Sequence, residues 1–461
     1  MQKSKEGPNP GSLAVGGGQG AFKIMKFGGT SVGKPQRMYE VAKLITSDAE
    51  PKIVVLSAVS GTTNALVEIG NFLSRGKREQ AKQKIDELEA QYKLFVTELV
   101  KKPGALEKAN TILKEHFEFL NIILRISFSE ALSKDILAQG ELISTKLFSV
   151  YLNEQGIDHE LLPALEFMSI DANDEPQVEQ IREKLSRILQ QNAGKKIFIT
   201  QGYICRNARG EVDNLKRGGS DYTASLVAAA IKASVCEIWT DISGMHNNDP
   251  RIVNKTIPID QLSFEEAAEL AYFGAKILHP ASIWPAQYYN VPVKLLNTME
   301  PDAKGTTIQE KASSTGVKAV AAKDGILAIN IKSSRMLLAY GFLRKVFEVF
   351  EKYRTSIDMI TTSEVAVSLT IDNASALNEI VRELETFSTV SVDTNQTIIS
   401  IVGNEIGEQP GTLKKVFDCV SNINIRMVSF GGSIHNISLL VDAADKKATL
   451  QQLNSGLFGL N

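Results

Sequence analysis

The sequence has few cysteines, and their positions exclude two classes of protein. Cys205, Cys236 and Cys419 are the three cysteines among 461 residues, and they lie far apart without paired spacing. Small disulfide-stabilised domains and structural zinc sites need closely spaced cysteines, so we expect neither, and we predict no residues that hold a metal. Free thiols are typical of a reducing compartment, so we predict a cytoplasmic protein.

Long apolar runs and an excess of charge of one sign are also missing from the sequence. No stretch reaches the length of a transmembrane helix, and the first twenty residues lack the apolar segment of a signal peptide. The chain has 51 Lys and Arg against 53 Asp and Glu, a net charge of −2. This balance gives no electrostatic basis for binding nucleic acid or an anionic membrane, so we predict neither partner.

What the sequence does contain is a glycine-rich loop after its first apolar segment. Residues 22–27 predict a short buried strand, and residues 28–31 (GGTS) follow it. Adjacent glycines let a ligand approach the backbone, and the hydroxyls are expected to cap a helix that begins near Pro35. A helix start with Lys26 beside it suits a phosphate. The alternative is a tight turn with a surface lysine, and no Walker A ending follows the loop.

Similar loops come after further predicted strands. The continuous apolar run at 53–56 indicates a strand buried on both faces, and the small, hydroxyl-rich residues 57–64 follow it. Residues 217–224 (RGGSDYTA) precede an alanine-rich helix in the same way. Parallel strands end at one edge of a sheet, so we expect these loops to share a crevice there. Glu141 precedes a helix predicted at 142–151. It either binds a substrate amine or caps the start of this helix, and the sequence leaves both roles open.

The last third of the chain contains an internal repeat. Residues 326–393 predict the order β-α-β-β-α-β, and the order recurs from residue 397 but stops one strand short. A strand predicted at 317–322 would complete the second copy, which places the first copy as an insertion inside the second. The predicted domains are a flexible tail (1–22), a catalytic domain (23–308), a first repeat (325–395) and a second, discontinuous repeat (316–324 plus 396–461).

Several motifs together resemble those of the aspartate kinases. In chain order they are residues 26–31 (KFGGTS), 217–222 (RGGSDY), 240–241 (TD) with 249–251 (DPR), and 274–280 (GAKILHP). They occur in the order of that family, and the resemblance covers essentially everything after residue 22. It implies an α/β fold of the amino-acid-kinase type, with an open, mainly parallel sheet and helices on both faces, followed by two ferredoxin-like ACT domains.

The resemblance also implies a reaction and a set of site residues. Aspartate kinases transfer the γ-phosphoryl group of ATP, with Mg²⁺, to the β-carboxylate of L-aspartate, the first step of lysine, threonine and methionine biosynthesis. The implied residues are Lys26 and Asp221 for catalysis; Thr63, Glu141, Arg217 and Ser220 for L-aspartate; and Lys26, Gly28, Gly29, Thr240, Asp241, His246, Arg251, Lys276 and Ile277 for ATP. His246 stands where the best-known members have a tyrosine.

Paired ACT domains imply an amino-acid effector and assembly into a homodimer or homotetramer. Residues 360–365 (ITTSEV) and 424–427 (NIRM) are similar to the monofunctional, lysine-inhibited branch, which implies L-lysine as the effector. The implied effector-binding residues are Met336, Ala339, Phe342, Leu343, Ile357, Asp358, Ser363 and Glu364. Those relatives carry serine and arginine where this chain has Ala339 and Tyr340. Core packing is the alternative role for Met336 and Phe342.

Two other functions fit parts of the sequence. One is a different carboxylate or carbamate kinase of the same fold, acting on glutamate or N-acetylglutamate. The repeat and the motif at 217–222 argue against it. The other is a non-catalytic amino-acid sensor with a decayed kinase domain, and the presence of Lys26, Arg217, Asp221 and Lys276 argues against that.

Overall fold

The computed structural model describes residues 22–215, 218–274, 278–312, 315–332 and 340–460. These residues form two compact units that divide between Thr240 and Asp241. Some of the predicted features lie outside the described residues: nearly all of the expected tail, Arg217, Lys276, Ile277, Met336 and Ala339.

The first unit is built on a parallel sheet in the order β3-β4-β2-β1-β7. A separate antiparallel hairpin pairs β5 with β6. All five residues of β2 are buried, as its continuous apolar run predicts for a strand covered on both faces. The strands are β1 (Lys23–Phe27), β2 (Lys52–Leu56), β3 (Glu160–Leu162), β4 (Ile197–Gln201), β5 (Ile204–Arg206), β6 (Val212–Asn214) and β7 (Val235–Thr240).

Helices connect these strands. Two long helices lie between residues 78 and 123, and each buries one apolar stripe, as amphipathic helices do. The helices are α1 (Gly29–Val32), α2 (Pro35–Ile45), α3 (Thr62–Ser74), α4 (Arg78–Leu99), α5 (Pro103–Ile123), α6 (Glu130–Glu154), α7 (Ala164–Phe167), α8 (Val178–Gln191) and α9 (Gly219–Ile231).

The expectation that the hydroxyls of the first glycine loop cap α2 is wrong. Thr30 and Ser31 lie inside α1, a single helical turn that begins directly after Gly28. The residue before α2 is Lys34, and it makes no side-chain cap. Pro35 occupies the first turn of α2, and because proline has no backbone N–H, that turn has one fewer donor to satisfy.

The second unit begins with three short strands. Strand β10 pairs in parallel with β8 and antiparallel with β9. Ser263 and Glu266 form a capping box at the start of α10, because each side chain accepts a hydrogen bond from the other residue's backbone N–H. The elements are β8 (Gln261–Ser263), α10 (Phe264–Tyr272), α11 (Pro280–Tyr288), β9 (Val293–Asn297) and β10 (Thr306–Gln309).

A six-stranded antiparallel sheet follows, in the order β12-β13-β11-β14-β16-β15. The first part of β11, residues 316–323, pairs with residues 398–404 of β14, and its second part pairs with the start of β14 and with β13. The elements are β11 (Gly316–Lys332), α12 (Phe342–Lys352), β12 (Ile360–Thr362), β13 (Ala366–Ile371), α13 (Leu377–Leu384), β14 (Thr389–Asn404), α14 (Thr412–Cys419), β15 (Ile425–Ser429), β16 (Asn436–Asp442) and α15 (Lys446–Phe458).

Two of the apolar cores among the described residues pack strands of this sheet against the helices of the repeat. One packs Ile329, Val346 and Leu369 with their neighbours, and the other packs Ile401, Val416 and Leu439 with theirs. Each core therefore belongs to one copy of the strand and helix repeat found in the sequence. Among the described residues, none of the helices combines the length and apolar character that crossing a membrane requires.

Candidate active site

The centre of the site in the first unit is an ion pair between Lys26 and Asp221. Lys26 lies near the end of β1, and Asp221 lies in the first turn of α9. Lys26 Nζ is 2.6 Å from Asp221 Oδ1, and the two side chains are only 12% and 18% exposed. Asp221 Oδ1 accepts no well-aligned hydrogen bond, so its contact with Lys26 Nζ is an ion pair only. The structure thus brings together two residues that are 195 positions apart in the sequence.

The start of α9 packs tightly against the chain that follows β4. Gly218, just before the helix, has a left-handed backbone (φ 66°) that glycine adopts without steric cost. At Gly202 an added Cβ would lie 2.2 Å from Ser220 Oγ, so only glycine fits there. This close approach fixes Ser220, whose hydroxyl oxygen accepts a hydrogen bond from Ser57 Oγ over 2.8 Å.

Helix α6 brings Glu141 to the same loop. Ser144 Oγ donates to the carbonyl oxygen of Ser57 over 2.8 Å, and the Ala58 N–H donates to Glu141 Oε1 over 3.3 Å. The helix approaches the loop this closely because residue 140 is glycine, and a Cβ there would lie 2.8 Å from Ala58 Cβ. The loop after β2 therefore links Ser220 on one side with Glu141 on the other.

Glu141 is a buried carboxylate with an unused oxygen. Its residue is 4% exposed, and Oε2 is buried without a hydrogen-bond partner. Burial raises the pKa of Glu141 to about 7, although the Ala58 N–H opposes the shift. Glu141 lies within α6, so the helix-capping alternative is wrong. A buried acceptor of this kind suits a cationic ligand such as an ammonium group.

The other site residues predicted in the first unit lie at the starts of helices or at the end of a strand. Thr63 is the second residue of α3 and is half-buried. The Gly28 N–H donates to the Trp239 carbonyl over 3.4 Å, which directs it to the neighbouring strand. Gly29 is the first residue of α1, where an amide has no intrahelical acceptor. Thr240 is the last residue of β7.

Tyr203 is a site residue that sequence reasoning missed. It has a left-handed backbone (φ 68°), which is uncommon for an aromatic residue and is typical of functional sites. Its N–H donates to Thr223 Oγ1 in α9 over 2.8 Å. Burial, with the nearby Glu141 carboxylate, raises the pKa of Tyr203 to about 12. Nothing in the local sequence signals this backbone conformation.

In the second unit, the predicted nucleotide residues lie on the loop that follows Asp241. His246 Nδ1 lies 2.7 Å from Thr256 Oγ1, and burial lowers the pKa of His246. Arg251 is largely exposed, and its side chain donates two hydrogen bonds to the Asp249 carboxylate. Nε donates to Oδ1 over 2.9 Å, and Nη2 donates to Oδ2 over 2.7 Å.

A cavity of about 1070 Å³ borders this loop within the second unit. His246 and Arg251 line it, as do Lys323 of β11 and Lys446 of α15. Its volume is at the upper end of the range for small-molecule sites, so it is large enough for a nucleotide. His279, which precedes α11, accepts a hydrogen bond from the Ala281 N–H over 3.2 Å and so caps that helix.

The predicted effector residues divide into buried and exposed members. Phe342 is 8% exposed and packs edge to face on Phe387 at 5.8 Å, so it belongs to the core. Ile357 packs against the same core. Leu343, Ser363 and Glu364 are exposed. These last three are accessible to a ligand from solvent.

Asp358 is already engaged by groups of the chain itself. Its carboxylate oxygen Oδ1 lies 2.8 Å from Lys323 Nζ and 2.7 Å from the hydroxyl of Tyr272 in α10. Lys323 also pairs with Asp372 at 2.9 Å and lies over the Tyr272 ring, 4.4 Å from its centre. With a side chain that is 1% exposed, Asp358 is closed to solvent in this conformation.

The residues described here do not form a cage for a metal ion. No group of three or more His, Cys, Asp and Glu side chains converges within the described ranges. Mg²⁺ commonly binds through one or two carboxylates together with phosphate oxygens and water, so it needs no such cage.

Known proteins resemble this chain over almost its whole length. Residues 21–297 match the amino acid kinase family and residues 399–457 match an ACT domain. Lysine-sensitive aspartokinase 3 of Escherichia coli (strain K12) is 34% identical over 447 residues, which covers 94% of this chain and 99% of that protein.

Two crystal structures of E. coli aspartokinase III resemble the structure as well. The complex with lysine and aspartate (T state) has a TM-score of 0.80 at 34% identity, covering 95% of this chain and 99% of the other. The complex with aspartate and ADP (R state) has a TM-score of 0.79 at 33% identity, covering 95% and 100%. These likenesses confirm the predicted fold class, an amino-acid-kinase fold followed by ACT structure.

Proposed function

The chain belongs to the aspartokinases of the amino acid kinase family and is an aspartate kinase, and we propose that Lys26 and Asp221 form its catalytic pair. The reaction transfers a phosphoryl group from ATP to L-aspartate. The observation that carries the residue assignment is the 2.6 Å ion pair between Lys26 and Asp221.

Both reactants are anions, so catalysis depends on positioning and on neutralising negative charge. We propose that the Lys26 ammonium stabilises the charge that develops on the transferred phosphoryl group. Asp221 holds that ammonium group in place and does not act as a base. The attacking β-carboxylate of aspartate is already ionised at neutral pH, so no proton has to be removed from it.

The substrate side of the proposal rests on Glu141. Its buried carboxylate, with one unused oxygen, would bind the α-ammonium group of aspartate. The hydroxyls of Ser220 and Thr63 would donate hydrogen bonds to substrate oxygens. Arg217 lies outside the described residues, and its assignment as a bidentate clamp for a substrate carboxylate follows from the motif alone.

For ATP we propose contacts from Gly29, Thr240, Asp241, His246 and Arg251, with Lys276 and Ile277 assigned from the motif. The E. coli relative binds ADP in its crystal structure, which supports ATP as the phosphoryl donor. The histidine ring is flat and can stack on a base as a tyrosine does. Mg²⁺ would be carried by the phosphates and would neutralise part of their charge.

Feedback control is part of the proposal. The E. coli relative has been crystallised with lysine and is described as lysine-sensitive, so we propose L-lysine as the effector, bound by the ACT repeats at residues 316–461. Leu343, Ser363 and Glu364 are the exposed candidates. We also propose assembly through these repeats as a dimer or tetramer, and a cytoplasmic location that fits three free cysteines.

One assay tests the reaction and its substrate. Acyl phosphates react with hydroxylamine, so the purified chain is incubated with ATP, Mg²⁺ and L-aspartate and the hydroxamate is measured. We expect aspartyl hydroxamate, and none with L-glutamate in place of L-aspartate. Product from L-glutamate alone would identify the other carboxylate kinase. Absence of both hydroxamates would favour the non-catalytic sensor. Addition of L-lysine or L-threonine to the same assay identifies the effector.

A further inference from the structure

A buried asparagine in the last helix holds the loop that carries His246 and Arg251. Asn454 lies in α15 and is 2% exposed. Its side-chain oxygen accepts hydrogen bonds from the side-chain amides of Asn247 at 3.2 Å and Asn248 at 3.3 Å. Both donors directly follow His246 in the sequence, so one oxygen fixes two consecutive residues of this loop.

The nitrogen of the same side chain is also fully used. Asn454 Nδ2 donates to the carbonyl oxygens of Lys255 at 3.1 Å and Leu460 at 3.2 Å. In the sequence, Asn248 precedes Arg251 and Lys255 follows it. The amide of Asn454 therefore binds the loop at both ends, and an asparagine is needed because the site uses acceptor and donor together.

Further contacts tie the loop to the second repeat. The Val320 N–H in β11 donates to the Asn247 carbonyl over 2.8 Å. Asn248 Nδ2 donates to the Leu450 carbonyl in α15 over 3.1 Å. Helix α15 lies almost entirely in the segment that matches the ACT domain, and β11 pairs with β14, which enters that segment. The loop therefore has little freedom that is independent of this segment.

The cavity beside the loop is shared by the same elements. His246, Asn248 and Arg251 contribute one part of its lining, and Leu450 and Lys446 of α15 contribute another. A displacement of α15 would move Asn248 through its bonds to Asn454 and Leu450. The shape of the cavity then depends on the position of the ACT helix.

We propose that Asn454 is a positioning residue for nucleotide binding. It holds the loop of residues 246–251 in the conformation that receives ATP, and it makes the affinity for ATP depend on the position of α15. Surface loops are generally mobile, and a loop held in its bound conformation binds with a smaller loss of entropy. This inference rests on the proposed assignment of His246 and Arg251 to the nucleotide.

The test compares two substitutions of Asn454 with a control on the same helix. Asn454→Ala removes all four hydrogen bonds, and Asn454→Asp keeps the acceptor oxygen for Asn247 and Asn248. Gln451→Ala changes an exposed residue of α15. The measurements are KM for ATP, KM for L-aspartate, the dissociation constant for ADP by calorimetry, and Tm.

For Asn454→Ala we expect KM for ATP and Kd for ADP to rise about tenfold, the effect of about 1.4 kcal/mol. KM for L-aspartate should stay within about twofold. Asn454→Asp keeps the bonds from Asn247 and Asn248 but loses those to Lys255 and Leu460, so its Kd for ADP should lie between those of the wild type and the Ala variant, even where its buried charge lowers Tm. Gln451→Ala should match the wild type.

Some results would overturn the inference. One is an unchanged Kd for ADP in Asn454→Ala, whatever its Tm, because a residue that only stabilises the fold behaves in that way. Another is an equal loss of nucleotide affinity in the Ala and Asp variants. If Asn454→Ala does not fold, the Asp variant decides alone: a raised Kd for ADP supports the inference, and a Kd equal to that of the wild type counts against it. Failure of the proposed function is separate, since it appears as a wild-type chain that forms no aspartyl hydroxamate.

Discussion

The ammonium group of Lys323 lies 2.8 Å from the carboxylate of Asp358, a residue that the motifs assign to binding of lysine as an effector. Tyr272 donates to the same oxygen, and the Asp358 side chain is 1% exposed. An internal lysine thus occupies the carboxylate that a free lysine was expected to bind. Glu364 is exposed and forms no ion pair within the described ranges, so it is the more accessible of the two carboxylates.

We predict that Glu364→Ala weakens inhibition by L-lysine with little change in the uninhibited rate. Loss of a charged hydrogen bond to the effector should raise the lysine concentration for half-inhibition about tenfold. The measurement is a lysine titration of the hydroxamate assay at fixed ATP and L-aspartate. Glu348→Ala, on the exposed face of α12, is the matched control because its carboxylate pairs locally with Arg344.

Asp358→Asn should behave differently from Glu364→Ala. It leaves Lys323 paired with Asp372 but removes a buried charge partner, so we expect a lower Tm as the main effect. An unchanged Tm together with complete loss of lysine inhibition would show that Asp358 contacts the effector directly. For Glu364→Ala, half-inhibition at the same lysine concentration as in the wild type would contradict the role assigned to Glu364.

Substitution of Lys26 tests the catalytic pair. We predict that Lys26→Ala lowers kcat by at least about 10²–10³, the usual effect of removing one group that stabilises transition-state charge. The ACT repeats should stay folded, which circular dichroism and lysine binding can verify. Lys43→Ala is the control, since Lys43 is an exposed lysine of α2 that pairs with Glu40. A Lys26→Ala enzyme with more than a tenth of the wild-type kcat would refute the assignment.

The loops of the site could be predicted from the sequence because they follow continuous apolar strands and contain paired glycines. Parallel strands end at one edge, so Lys26 and Asp221 could be expected to meet. The approach of Ser220 to Gly202 could not be predicted, because it depends on the packing of α9 against another chain segment. The left-handed Tyr203 has no local signal either, since nearby residues do not distinguish it from an ordinary strand end.

The contact of Lys323 with Asp358 could not be predicted from the sequence either, for a related reason. Lys323 lies where the register between β11 and β14 shifts, and a β-bulge changes the direction of side chains locally. A sequence pattern with a period of two residues cannot place a side chain at such a shift. The repeat itself was visible because each copy has its own apolar core.

The pKa of Glu141 leads to a prediction about pH. Burial raises it to about 7, so the carboxylate that is proposed to bind the substrate ammonium is ionised only above that pH. We predict that kcat/KM for L-aspartate falls about tenfold from pH 8 to pH 6, because this ratio reports the free enzyme. The same ratio for ATP at saturating L-aspartate should change less, because bound substrate keeps Glu141 ionised. A flat aspartate profile over this range would contradict the assignment.

The same burial makes Glu141 a pH-dependent cost to stability. A carboxyl whose pKa is raised on folding keeps its proton in the folded state at pH values where the unfolded chain has lost it. Stability therefore falls as pH rises from 4.5, the ordinary pKa of a glutamate side chain, to about 7. Glutamine cannot ionise. In the absence of substrate, the free energy of unfolding of Glu141→Gln, measured relative to that of the wild type, should therefore rise by about 2 kcal/mol from pH 5.5 to pH 8. Urea unfolding at both pH values measures this difference, and equal differences at the two values would show that Glu141 is not buried as an unpaired carboxyl. Any constant effect of the glutamine amide cancels in the comparison, and Glu364→Gln, at an exposed site, should show no such change.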